Sequence, residues 1–189
     1  MINLRLTLKK DPEAVRAFLL QFKIQERIAN GDRLRDMPDE WFFIPNDDRM
    51  KNGIVAASGI IMCNRLMDMK RFKETRDLMA HLLSTESGMV GLHRSLCVCD
   101  MICCGLILGE PTADISQMIT PEQKKFMTSM KSFISVIRTE YAIALLIERN
   151  AVKADTVLKR FEMAARKHPY KGDVQSEREL MEIIKMIAS

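Results

Sequence analysis

From Asp11 to the C-terminus, the chain is punctuated by the start and stop signals of α-helices, and little else can be built on such a pattern. Asp11-Pro12-Glu13 offers a capping carboxylate, a proline at the first helical position and an acid near the positive end of the dipole. Asn30-Gly31 offers a stop. Between them Val15, Phe18, Leu19 and Phe22 recur at helical spacing, with Ile28 further on, so a first helix is expected over 11–30 with that face inward. Thr120-Pro121-Glu122-Gln123 is a capping box that opens a helix to about 131. Ser176-Glu177-Arg178-Glu179 is a second box, expected to start the last helix with Leu180, Ile183, Ile184 and Ile187 inward.

Helical spacing fills the intervals. One helix is expected near 49–69, capped by Asp47 or Asp48, with Met50, Ile54, Ala57, Ile61 and Leu66 inward. The next covers about 71–85 with Phe72, Met79, Leu82 and Leu83. A short turn near 112–118 follows, then helices over 133–149 (Val136, Ile137, Tyr141, Ala144, Leu145) and 151–167 (Ala154, Leu158, Phe161), the last stopping before Pro169. Glycine (8) and proline (6) are scarce in 189 residues, which favours helix over sheet. The fold class expected is all-α, in a single domain over 1–189. In residues 1–10, Ile2, Leu4, Leu6 and Leu8 alternate with polar residues. That reads as a strand or an extended arm, and with no second strand to pair with, an arm packed on helices is expected.

The helix expected over 89–108 is apolar nearly all round: Leu92, Leu96, Cys99, Ile102, Cys103, Leu106 and Ile107 leave only His93, Arg94, Ser95 and Asp100 as polar relief. Such a helix belongs at the centre of a fold, where both ends of the chain pack against it. Leu96 and Leu106 are then core residues, and Asp100, if buried, requires a partner, for which an arginine from a neighbouring helix is expected.

Composition narrows the function. The net charge is +4 with signs interleaved, as in Lys70-Arg71-Phe72-Lys73-Glu74, which is a solvated helix face and not the one-sided basic stripe of a nucleic-acid binder. The five cysteines are Cys63, Cys97, Cys99, Cys103 and Cys104, an odd number with four on one short stretch, so a reducing, cytoplasmic setting is expected. The N-terminus has no signal-peptide pattern, and the uncharged run Gly53–Asn64 is too short to span a bilayer, so no direct membrane insertion is expected.

Helices 49–85 and 133–168 resemble tetratricopeptide hairpins. Cys63, Leu66, Phe72, Thr75, Met79 and Leu82 stand at the small, large and aromatic places of one copy. Ala142, Leu145, Ala151, Ala154, Leu158 and Phe161 stand at those of the other. Both depart from the pattern: Lys70 and Arg149 occupy the usual Gly place, Thr75 and Ala151 replace an alanine and an aromatic, and Ser87 and Pro169 miss the closing proline. The resemblance implies antiparallel helix pairs stacked as a short solenoid that serves as a binding surface. A second resemblance, carried by Lys9-Lys10-Asp11-Pro12-Glu13-Ala14-Val15 and Pro38-Asp39-Glu40-Trp41-Phe42, is to the soluble helical tail of Gram-positive site-2-type membrane proteases. It implies a bacterial regulatory appendage at the inner face of the membrane, within a larger protein. The protease's His-Glu-x-x-His motif is missing from this chain.

Catalytic chemistry finds little footing. His93, Cys97, Asp100 and Cys104 share a helical stripe, but together they span about three turns and cannot converge on one metal. Small thiols filling tight helix contacts are the expected role, with no metal and no cofactor. His81 and His168 are isolated, and the glycines form no phosphate loop. Trp41-Phe42-Phe43, bracketed by Pro38 and Pro45, has two readings: a plug sealing the core, or an exposed anchor for a partner. The function expected is therefore a non-catalytic interaction module that binds a peptide or partner helix, compatible with homodimerisation. Its candidate binding residues are Trp41, Phe42, Ala57, Ile60, Asn64 and Met67, the last four by their place on the concave side of the repeat. Regulation of a membrane protease is the alternative.

Overall fold

Asp11 caps the first helix as its place before Pro12 dictates. In the computed structural model, which describes residues 11–85 and 91–189, its carboxylate accepts the Ala14 N–H at 3.1 Å. The arm expected over 1–10 lies outside the described residues. Helix α1 runs Pro12–Ala29 and ends on Asn30 and the left-handed Gly31 (φ 97°). It does not bury the face its large residues suggested. Ala14, Ala17 and Ile24 are inside, whereas Phe18, Leu19 and Phe22 are exposed at 39%, 60% and 66%. The small residues let α1 lie against helix α2 (Gly53–Asp68), where Gln21 Nε2 donates to the Ile54 carbonyl at 2.6 Å and to Ser58 Oγ at 3.2 Å.

Single 3-10 turns at Leu34–Asp36, Asp39–Trp41 and Asp47–Arg49 carry the connection to α2. The helix starts later than expected because Asn52, not Asp47 or Asp48, accepts the Ile54 N–H at 3.0 Å. Its inner face is rotated accordingly: Val55, Ala56, Gly59, Cys63, Leu66 and Met67 are buried, and Ile54, Ala57 and Ile61 only partly so. Helix α3 (Phe72–Ser84) folds back on α2 through Lys70, whose φ is 64°. Helix α7 (Ile134–Ala142, prolonged by a π turn over Ile143–Ile147) is joined to α8 (Ala151–Lys167) through Arg149, whose φ is 52°. Among the described residues these two are the non-glycines with positive φ, and they stand where the tetratricopeptide pattern places a glycine.

Helix α4 (Gly91–Leu108) lies between these pairs and contacts α3, α5 (Thr112–Met118), α6 (Pro121–Ser129), α7 and α9 (Lys171–Ala188). Its faces divide among three apolar clusters. Cys97, Met101 and Cys104 join α2 and α3; Ile102, Cys103 and Leu106 join α5, α7, α8 and α9; Cys99 meets Met127 and Val136. The expectation of a central helix holds from Cys97 onward and fails in its first turn, where Leu92 is exposed and Leu96 only half-buried. By length and composition Gly91–Leu108 is also long and apolar enough to cross a membrane; half of it is buried inside this fold, as in a core helix.

Thr120 caps α6 by accepting the Gln123 N–H at 3.1 Å, but only half the expected box forms. Gln123 Nε2 donates instead to the Ser95 carbonyl at 2.9 Å, which ties α6 to α4. The second box is overturned: α9 begins at Lys171, before Ser176. Ser176 donates to Asp68 at 2.6 Å and Glu177 faces Arg138, so both are committed to tertiary partners. The helix can start early because Gly172 packs on the loop after α1, where a Cβ would come within 2.3 Å of the Asp32 carbonyl oxygen. Helix α9 thus closes the arc. Leu180 joins the N-terminal cluster, Val174, Met181 and Ile184 the C-terminal one, and Glu179 pairs with Arg33, Arg35 and Lys70.

Candidate functional site

Closing the arc encloses a cleft of about 510 Å³ between α1, α2, α4, the start of α7 and α9. One wall is apolar: Ile24 and Ile28 of α1, Ile60 and Ile61 of α2, and Leu96 of α4. Phe133, exposed at 43%, stands with Ser132 just ahead of α7. A second part of the lining, the charged wall, comes mainly from α4, α7 and α9. A volume of this size suits one or a few side chains or a small organic group, not a whole helix.

The charged wall is organised by Arg138. Its side chain is 1% exposed, because it grows from the buried face of α7 between Ile137 and Tyr141. Its Nη2 pairs with Asp100 Oδ1 on α4, and its Nη1 donates to both carboxylate oxygens of Glu177 on α9, at 3.0 and 2.8 Å. Nε has no partner among the described residues. The partner that Asp100 required is therefore an arginine from a neighbouring helix, as its position in an apolar helix implied. Burial pushes Glu177 up to about 7, with Arg138 pulling the other way. Asp173, one turn earlier on α9, is pushed up to about 6, again by burial, with His168 opposing and Asp68 reinforcing. No hydrogen bond or ion pair reaches Asp173 among the described residues. Asp68, buried at the end of α2, is bound by Arg33, by Ser176 and by the Arg35 N–H at 3.1 Å. Asp100, Asp173 and Glu177 thus face a single guanidinium, which makes the wall acidic.

The structure separates the candidate binding residues. Ile60, Asn64 and Met67 line the cleft, with Asn64 exposed and Met67 4% exposed, so Met67 is more floor than rim. Ala57 does not line it. Trp41 and Phe42 lie elsewhere, half-buried on the surface of α1 and α2, and each aromatic of the run is covered by a cation. Lys23 sits 3.9 Å from the Trp41 ring centre, Arg65 4.1 Å from that of Phe42 and Arg16 5.3 Å from that of Phe43. Arg65 also donates to the Met37 carbonyl at 3.0 Å, which fastens the loop to α2. This favours the plug over the exposed anchor.

The cysteines are all buried and free. Burial pushes Cys97 and Cys99 up to about 12 and Cys103 to about 11, far from the thiolate range. Among the described residues no group of three or more His, Cys, Asp or Glu side chains is placed to hold a metal. Of the residues that define the cleft, Arg138, Asp173 and Glu177 did not stand out in the sequence; the legible signal was an arginine set between apolar residues of α7, facing the lone acid of α4. Comparison with known proteins finds no matching family model, no similar curated protein and no similar solved structure.

Proposed function

We propose that this chain is a non-catalytic interaction module that receives a segment of a protein partner in the cleft between α1, α2, α4, α7 and α9. The observation that carries the reading is the cleft itself, about 510 Å³ lined by both apolar and charged side chains. Such a mixed pocket binds an apolar body and orients it by a few polar groups. Two features lend support. The helix pairs α2–α3 and α7–α8 turn at Lys70 and Arg149 as tetratricopeptide hairpins turn at glycine, and stacks of such pairs present concave binding surfaces. The thiols, the strongest nucleophiles in the chain, are buried and held neutral.

The test is a comparative pull-down from cells that naturally express the chain. A partner recovered on the native chain should be lost from Ile60→Glu, which puts a charge on the apolar wall. It should be retained by Val152→Glu, an exposed position on α8. Partners lost equally from both variants, or from neither, would count against the cleft.

A further inference from the structure

Within the binding reading just given, on which this inference rests, we propose that the cleft selects a peptide segment carrying a basic side chain, lysine or arginine, flanked by apolar residues. Three observations converge on that ligand. The first is charge: Asp100, Asp173 and Glu177 share one wall with a single arginine, and Asp68 already has Arg33, so the wall holds more carboxylates than cations. The second is an unpartnered acceptor: Asp173 lines the cleft with no hydrogen bond or ion pair among the described residues. A partly desolvated carboxylate without a partner is costly to keep charged, and an incoming ammonium or guanidinium relieves that cost. The third is an unpartnered donor: Arg138, 1% exposed and lining the cleft, keeps its Nε without an acceptor. Arg138 is already committed to Asp100 and Glu177, which leaves Asp173 without a cation of its own. The apolar wall of Ile24, Ile60, Ile61 and Leu96 then receives the flanking side chains.

The charge balance makes recognition depend on pH. Around Asp173 stand His168 on the preceding turn, Asp68 of α2 with its partner Arg33, and Glu177 one turn on. Asp100 and His93 of α4 and Arg138 of α7 also line the cleft, Arg138 in contact with Glu177 and Asp100. Burial holds Asp173 at about 6 and Glu177 at about 7, so acidification removes negative charge from this wall. A basic ligand binds most tightly on the alkaline side of neutrality and is released on the acid side.

The experiment is selection of a random peptide library on the immobilised full chain at pH 8, followed by fluorescence anisotropy with labelled synthetic copies of the enriched peptides. Enriched peptides should carry lysine or arginine beside leucine, isoleucine or phenylalanine. Replacing that basic residue by norleucine should weaken binding roughly tenfold or more, as loss of a desolvated charge pair does. Asp173→Asn should weaken binding similarly, Asp114→Asn on exposed α5 should leave it unchanged, and acidification to pH 5 should mimic Asp173→Asn. Enriched peptides that lack basic residues, yet are lost from Ile60→Glu, would overturn the charge preference and leave the cleft as a binding site. A selection that enriches nothing over an empty support would overturn both readings.

Discussion

Arg138 is where the cost of the fold is concentrated. It holds two carboxylates from two other helices, and breaking a buried ion network by removing one side leaves the other uncompensated. Arg138→Met, which keeps the bulk and loses the charge, should destabilise the protein by about 3–5 kcal/mol in urea unfolding at pH 8. The loss should be smaller at pH 5, where Glu177, raised to about 7, can take up a proton. Asp173 is the opposite case, a charge the fold bears without return. Its carboxyl is raised to about 6, so the folded state binds the proton more tightly than the unfolded chain does. Its contribution is therefore favourable below the unfolded value near 4 and is lost as pH rises through about 6. Glu177 acts with the same sign up to about 7. Glu179, which Arg33 holds at about 2, acts with the other sign: its contribution is full above the unfolded value near 4.5 and is lost as pH falls towards 2. Asp173→Asn should accordingly stabilise the chain at pH 8, by about 1–2 kcal/mol once partial exposure is allowed for, and have no effect at pH 4. A stability gain that is equal at both pH values would show that the carboxylate is not the source.

Among the elements, close approach decides more than apolar bulk, and this limits what a sequence discloses. The bounds of α1 and the end of α8 could be read directly from caps and stops, because Asp11, Asn30-Gly31 and Pro169 act locally. The inward face of α1 could not, because helical spacing identifies a stripe of Phe18, Leu19 and Phe22 but not which stripe a neighbour reaches. The neighbour chose the alanines. The start of α9 was hidden for the same reason: Ser176 and Glu177 have the types of a capping box and are taken up by Asp68 and Arg138, residues distant in sequence. Gly172 provides the sharper test. An added Cβ would meet the Asp32 backbone oxygen at 2.3 Å, and backbone cannot rotate away. At Gly105 the obstacles are the ends of the Ile115 and Glu110 side chains, which can. Gly172→Ala should therefore cost about 1–3 kcal/mol and Gly105→Ala distinctly less, by chemical denaturation. Along α4, Leu106→Ala should cost about 2–5 kcal/mol, the range for a buried leucine, and half-buried Leu96→Ala clearly less. Equal costs at the two leucines would place the first turn of α4 in the core after all.

For the whole molecule, two helices decide whether the chain is one unit or two. The N-terminal cluster of α2 and α3 and the C-terminal cluster of α5, α7 and α8 meet through helices that serve both: Cys97, Met101 and Cys104 of α4 and Leu180 of α9 lie in the first, Ile102, Cys103 and Leu106 of α4 and Met181 and Ile184 of α9 in the second, and Met118 packs against both. The ion pairs of Glu179 with Arg33 and Lys70, and of Arg138 with Asp100 and Glu177, run across the same seam. A chain whose halves each lose part of their core when the other melts should unfold in one step, so the cleft exists only when the whole protein is folded. The sequence supplies a local reporter. Trp41 is the single tryptophan, and it lies in the N-terminal half beneath Lys23. Its fluorescence follows the N-terminal half, while far-UV circular dichroism follows all helices. The two urea transitions should share a midpoint and a slope. Leu180→Ala, which removes the α9 side chain from the N-terminal cluster, should lower both by the same amount. A Trp41 transition that moves alone in Leu180→Ala would mean that the halves are separable, and that α9 merely leans on the N-terminal pair. The cleft would then open without global unfolding, because its wall of Asp173 and Glu177 travels with α9.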